Sequence, residues 1–166
     1  MDQNRTPHAR VAAATRERRR PVQSFALFVG AVFLLVGVLG FVPGVTADFG
    51  EMTFAGPHSG ALLFGVFAVS VLHNLVHLLF GVLGLLAART RGPARAYLVV
   101  GGGVYLLLWV YGSAVGEHMA ANVVPFNVAD NWLHLGLGAG MVLLGVAGTA
   151  AERSRGQYPD PDRVPE

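Results

Sequence analysis

Three of the six histidines, His73, His77 and His134, fall inside long apolar stretches, with Asn74 and Asn131 beside them. Imidazole moves protons, ligates haem and binds metals. A polar group left unpaired in hydrocarbon costs several kcal/mol. These side chains must therefore pair with one another, with Tyr105 or Tyr111, with water, or with a cofactor. Several arrangements meet that demand. A hydrogen-bonded core of Ser70, His73, Asn74, His77, Tyr105, Asn131 and His134 would fix helix register, and it is the plainest reading. His73 and His134, on facing helices with glycines nearby, match the way a helical bundle holds haem b. A path for protons or small solutes would run through His73, His77 and an outer acid such as Asp130. A zinc site at His73 and His77 lacks a carboxylate close by on the same stretch. His58 and His118 lie in connecting segments and read as solvated loop residues. Asp130, just before Asn131-Trp132, reads as a helix N-cap. There is no Cys, which excludes Cys-ligated metals, iron–sulfur clusters and disulfides. No nucleophile–base arrangement is present, and Gly101-Gly102-Gly103 has neither the preceding strand nor the following Lys of a phosphate loop.

The elements that must hold these groups are apolar. The 166 residues are 53% hydrophobic and 13% charged, against about 25% charged in a soluble domain, and mean hydropathy is +0.51. Four apolar stretches, 24–42, 61–88, 96–115 and 132–150, contain no Arg, Asp or Glu. A crossing of a ~30 Å hydrocarbon core takes roughly 20 helical residues. The runs are continuous, which favours helices over barrel strands. The expected fold is all-α: a polytopic four-transmembrane-helix bundle over residues 21–151. It is flanked by an Arg-rich segment, 1–20, and a Pro-bearing tail, 152–166, both read as disordered.

All 12 basic residues are Arg, and they are divided unevenly. Residues 1–20 hold Arg5, Arg10, Arg16, Arg18, Arg19 and Arg20; the turn near 90 holds Arg89, Arg91 and Arg95; the tail holds Arg153, Arg155 and Arg163. The other two connections carry Asp48, Glu51, Glu117 and Asp130 and no Arg. The positive-inside rule then puts both termini in the cytoplasm and the chain in the inner (plasma) membrane. Basic residues at segment ends beside apolar runs exclude nucleic-acid binding as the main role despite a pI near 9.5. Arg18-Arg19-Arg20 reads as an anchor on anionic inner-leaflet lipid. A cleavable signal ending near Val45-Thr46-Ala47 competes. The first apolar run, at about 18 residues, exceeds the ~7–15 of a signal peptide, and Pro43-Gly44 looks like a helix stop.

Helical periodicity groups the inward residues. Ser70, His73, Asn74, His77, Gly81 and Gly84 share one face, with leucines opposite. Asn131, His134, Gly138, Gly145 and Thr149 form a second face, Gly101, Tyr105, Trp109 and Gly112 a third, and Ala26, Gly30, Gly37, Gly40 and Gly44 a fourth. Small residues let helices approach closely, within one chain or against a second copy in a homo-oligomer. Phe49, Phe54 and Phe126 are placed to dip into the membrane interface, and Trp132 suits its aromatic belt. Asn74-x-x-His77-Leu78-x-x-Gly81 matches Asn131-x-x-His134-Leu135-x-x-Gly138. Measured from Arg89 and Arg153, however, the two motifs lie ~10 Å apart in depth at ~1.5 Å per residue, which weighs against a duplication.

Longer stretches carry a family resemblance. They are Phe33-Leu34-Leu35-Val36-Gly37-Val38-Leu39-Gly40-Phe41-Val42-Pro43-Gly44, Leu63-Phe64-Gly65-Val66-Phe67, Leu72-His73-Asn74-Leu75-Val76-His77-Leu78, and Ala121-Asn122-Val123-Val124-Pro125-Phe126-Asn127 through Asp130-Asn131-Trp132-Leu133-His134-Leu135. Over about residues 21–150 the chain resembles a bacterial, mostly actinobacterial, four-helix membrane family known as domain of unknown function 4383. The resemblance implies an integral membrane protein with four spans and brings no activity, cofactor or catalytic residue. The expected role is therefore structural or interactive within the lipid bilayer, with no enzymatic activity inferred. A haem-binding redox subunit and a small transporter or proton conductor stand as alternatives.

Overall fold

The computed structural model describes residues 20–115 and 119–154. Residues 1–19 and 155–166, and with them most of the two segments expected to be disordered, lie outside the described residues, as do Glu117 and His118. The described chain is mostly helical, with four helices and little sheet. Helix α1 spans Pro21–Leu39, α2 Val71–Ala87, α3 Arg91–Ala114 and α4 Val128–Ser154. Pro21 opens α1, where its fixed φ suits the first turn and its missing N–H costs nothing. Helices α1, α3 and α4 are long and apolar enough to cross a membrane, and α2 is an apolar helix of 17 residues.

The stretch 61–88, expected as one span, divides in two. Its outer part forms strands β2 (Leu62–Leu63) and β3 (Phe67–Ala68), and α2 begins only at Val71. With β1 (Thr46–Ala47) these make a three-stranded antiparallel cap in the order β1-β2-β3. Thr46 pairs with Leu63, and Leu63 in turn with Phe67. An unbroken apolar run carries no periodicity to tell strand from helix. The break lies at Phe64 and Gly65, whose φ angles of +54° and +68° reverse the chain. Ser70 then starts α2 by accepting the His73 N–H at 3.1 Å. Ala61, Leu63 and Val69 are buried in the cap and pack on Val36 and Leu39 of α1.

The helices form two antiparallel pairs, α1 with α2 and α3 with α4, in which backbones nearly touch. A Cβ at Gly30 would stand 3.0 Å from the Gly81 carbonyl, and one at Gly102 would stand 2.8 Å from the Gly138 carbonyl. The two pairs meet over an apolar core that includes Val22, Ala26, Phe33, Leu98, Tyr105 and Met141. At one end Gln23 Nε2 donates to the Ala88 and Arg89 carbonyls (3.1 and 2.9 Å), tying the start of α1 to carbonyls that the end of α2 leaves open. The described arginines, Arg20, Arg89, Arg91, Arg95 and Arg153, gather toward this end together with Glu152, and the other described acids, Asp48, Glu51 and Asp130, lie at the opposite end.

Gly102→Val should destabilise the fold by about 1–3 kcal/mol, because a side chain there meets backbone that cannot yield. Nothing lies within 4 Å of a Cβ at the neighbouring Gly103. Gly103→Val should therefore melt like the parent in detergent, and equal melting of the two variants would contradict the packing.

Candidate functional site

Most of the buried polar residues, Thr149 and Glu152 apart, converge where the strand cap meets the starts of α2 and α4. Most serve peptide groups. Strand β3 is an edge strand in apolar surroundings, and its free side needs partners. Asp130, 1% exposed, accepts the Ala68 N–H at Oδ2 (3.0 Å). His73 Nδ1 donates to the Ala68 carbonyl (3.0 Å), and Asn127 Nδ2 donates to the Val66 carbonyl (2.7 Å). Ser59 Oγ donates to the Val69 carbonyl (2.5 Å). The start of α2 is satisfied in the same way: the Val71 and Leu72 N–H groups bond to the Thr53 and Phe54 carbonyls, at 3.1 and 2.9 Å. At the end of α1, Thr46 Oγ1 lies within hydrogen-bond reach of the Leu39 and Gly40 carbonyls.

Asp130 is not the N-cap of α4. That role belongs to Asn127, whose Oδ1 accepts the Asp130 N–H (2.9 Å) while Asp130 Oδ2 accepts the Asn127 N–H (3.1 Å). This reciprocal pair is a capping box, and the Asn127-x-x-Asp130 spacing is its signature. Sequence reasoning placed the cap three residues late and missed that the same carboxylate reaches across to the strand cap. It also missed Gln23, Thr46, Ser59 and Asn122. Asn122 accepts the Phe126 N–H at Oδ1 (3.1 Å), just before α4.

A chain of ring contacts crosses the core just below. His73 and His77 are 4.4 Å apart between centroids, His77 and Phe33 5.5 Å, Phe33 and Tyr105 5.3 Å, Tyr105 and His134 5.3 Å, and His134 and Phe126 4.8 Å. His77 Nδ1 donates to the His73 carbonyl (3.0 Å). A carbonyl only accepts, so His73 and His77 both carry a proton on Nδ1, and in the neutral ring Nε2 is the lone pair. Among the described residues His134 Nδ1 and Asn131 Oδ1 find no hydrogen-bond partner, and neither do Tyr97 OH and Glu152 Oε1. Asn74 Nδ2 reaches only the Met52 sulfur, at 3.9 Å. Tyr111, at the rim, donates to the Ala121 carbonyl rather than to a histidine. His58 is exposed. No group of three or more His, Asp or Glu able to hold a metal occurs among the described residues.

His77 and His134 flank the Phe33–Tyr105 stack at one level, so the ~10 Å offset reckoned from Arg89 and Arg153 does not hold. The helices are not flush at the arginine end: a Cβ at Gly148 already meets Val22, in the first turn of α1, and α4 continues to Ser154. The two helical pairs then show one contact scheme. Phe33 meets His77 as Tyr105 meets His134. Gly40 faces the Asn74 side chain as Gly112 faces Asn131, and Leu34 faces Gly81 as Leu106 faces Gly138. One constant shift along the sequence carries Gly30, Phe33, Leu34 and Gly40 onto Gly102, Tyr105, Leu106 and Gly112. Another carries Ser70, Asn74, His77 and Gly81 onto Asn127, Asn131, His134 and Gly138.

Asp130→Ala should cost about 2–6 kcal/mol, since two N–H donors lose their acceptor at roughly 1–3 kcal/mol each. Asp130→Asn keeps one acceptor oxygen and should cost less. Melting of the two variants in detergent checks this, and an Asp130→Ala protein as stable as the parent would contradict the bridging role.

Residues 23–147 match the family described as Domain of unknown function (DUF4383), and the chain belongs to it. No curated protein and no solved structure matches the chain.

Proposed function

We propose that this family member is a multi-pass protein of the inner (plasma) membrane, a bundle of four spans with both ends cytoplasmic and the strand cap outside. In this reading it has no catalytic centre and acts through the cap and through lateral contacts with other membrane proteins or a second copy. The observation that carries the reading is the use to which the polar side chains are put. Ser59, Ser70, His73, Asn127 and Asp130 bond to main-chain groups of the cap and of the start of α2, and His77 to a carbonyl of its own helix, so these side chains serve main chain and are not gathered around a substrate space. All five described arginines stand at one end and three of the four described acids at the other, which supports the orientation. Leu79, Leu83 and Leu86 of α2, exposed on the face opposite its histidines, suit contact with lipid.

One observation favours a second reading, a redox subunit holding haem b at His73 and His134. His73 Nδ1 is pinned to a carbonyl with Nε2 left open, as in metal-ligating imidazoles. Weighing against it, the rings of His77, Phe33 and Tyr105 stand in a continuous series of contacts from His73 to His134, where a macrocycle would need a slot. A conducting path is less favoured still, because Phe33, Leu98 and Met141 fill the core between the histidines and the arginine end.

The protein purified from a haem-sufficient host should be colourless. A Soret band that His73→Ala removes would replace the proposed reading with the redox one. Reporter tags inserted after Ala55 and Ala120 should be detected outside the cell and one after Arg91 inside; any other pattern would overturn the orientation.

A further inference from the structure

We propose that the β2–β3 hairpin is a lipid-contacting element, its tip from Phe64 to Val66 seated in the outer-leaflet interface and completing an aromatic belt with Trp132. The inference rests on the membrane reading above and adds a surface and an occupant to it. Depth is set by α4. Ala68 N–H bonds to Asp130 and the Val66 carbonyl to Asn127, so the hairpin is fastened to the first turn of α4. Trp132, 67% exposed, projects from the next residues of the same helix, where a belt tryptophan belongs.

The tip itself is apolar and bare. Phe64 is 57% exposed and Val66 49% exposed. Phe64 also holds a φ of +54°, a costly conformation for a bulky side chain. A strained aromatic that the chain leaves more than half exposed gains the rest of its burial from outside it. The edge of β3 points the same way. In water its peptide groups would need no side-chain partners, whereas non-helical backbone beside lipid needs all of them. Finally, α2 has 17 residues, about 25 Å at ~1.5 Å per residue, which falls short of a ~30 Å core. The apolar hairpin next to its first turn extends the lipid-facing surface on that side.

The natural absence of cysteine allows single labels. Phe64→Cys, Val66→Cys, Leu79→Cys and Gly50→Cys proteins, each carrying an environment-sensitive fluorophore, are reconstituted in phosphatidylcholine–phosphatidylglycerol vesicles. Quenchers are lipids spin-labelled near the headgroup or near the chain end, and aqueous iodide. Labels at 64 and 66 should lose emission most to the shallow spin label, the label at 79 to the deep one, and the label at 50 to iodide. If 79 is quenched by lipid while 64 and 66 respond only to iodide, the hairpin stands in water; the proposal falls and the membrane reading survives. If 64 and 66 are shielded from lipid and iodide alike, a protein surface covers the tip and the proposal falls. If lipid does not quench 79, the membrane reading fails and the proposal with it.

Discussion

A peptide group removed from water must find a hydrogen-bond partner, and non-helical chain cannot supply one from within. The end of the molecule that carries the strands is organised by that demand. The cap from β1 to β3 is apolar, yet it is neither a helix nor a closed sheet, and β3 is left with an open edge. Asp130, Asn127, His73 and Ser59 close that edge one group at a time. The loop carbonyls of Thr53 and Phe54 do the same for the first turn of α2. Asp130, Asn127, His73 and Ser59 are thus occupied in holding up main chain, whereas, among the described residues, His134 Nδ1 and Asn131 Oδ1 are not.

The helices below answer a different demand, close approach. Glycines at the α1–α2 and α3–α4 contacts bring backbone against backbone, and the same scheme appears in both pairs. The shared scheme puts His77 and His134 at equivalent places on either side of the Phe33–Tyr105 stack. Equivalence fails at the outer ends. The first pair carries the strand cap between its helices, whereas residues 115–127 suffice in the second. His73 and Asp130 stand at the third position of α2 and of α4, and they meet at one residue of the cap, bonding the carbonyl and the N–H of Ala68. The asymmetry between the halves is therefore what the polar residues accommodate.

Part of this was legible in the sequence. The helical period groups Ser70, His73, Asn74, His77, Gly81 and Gly84, and these are residues buried at the start of α2 and along it. Polar and small side chains on one face with leucines on the other leave little choice of orientation. The strands within 61–70 were not legible, because a continuous apolar run lacks the alternation that marks a half-buried strand. Relative height was not legible because the arginines do not mark equivalent helix ends: α4 runs on to Arg153, beyond the level of Val22. The Asp130 bridge to Ala68 joins residues far apart in sequence, and no local pattern announces it.

Hydrogen exchange at the amides of Ala68, Val69, Val71 and Leu72, in the protein reconstituted in lipid, tests the central claim most directly. Each of these N–H groups has a partner in or beside the cap. Protection comparable to that of amides in the middle of α1 is expected. Exchange at the rate of an open loop would show that water, and not Asp130 and its neighbours, satisfies the cap, and would contradict the structure's reading at its root.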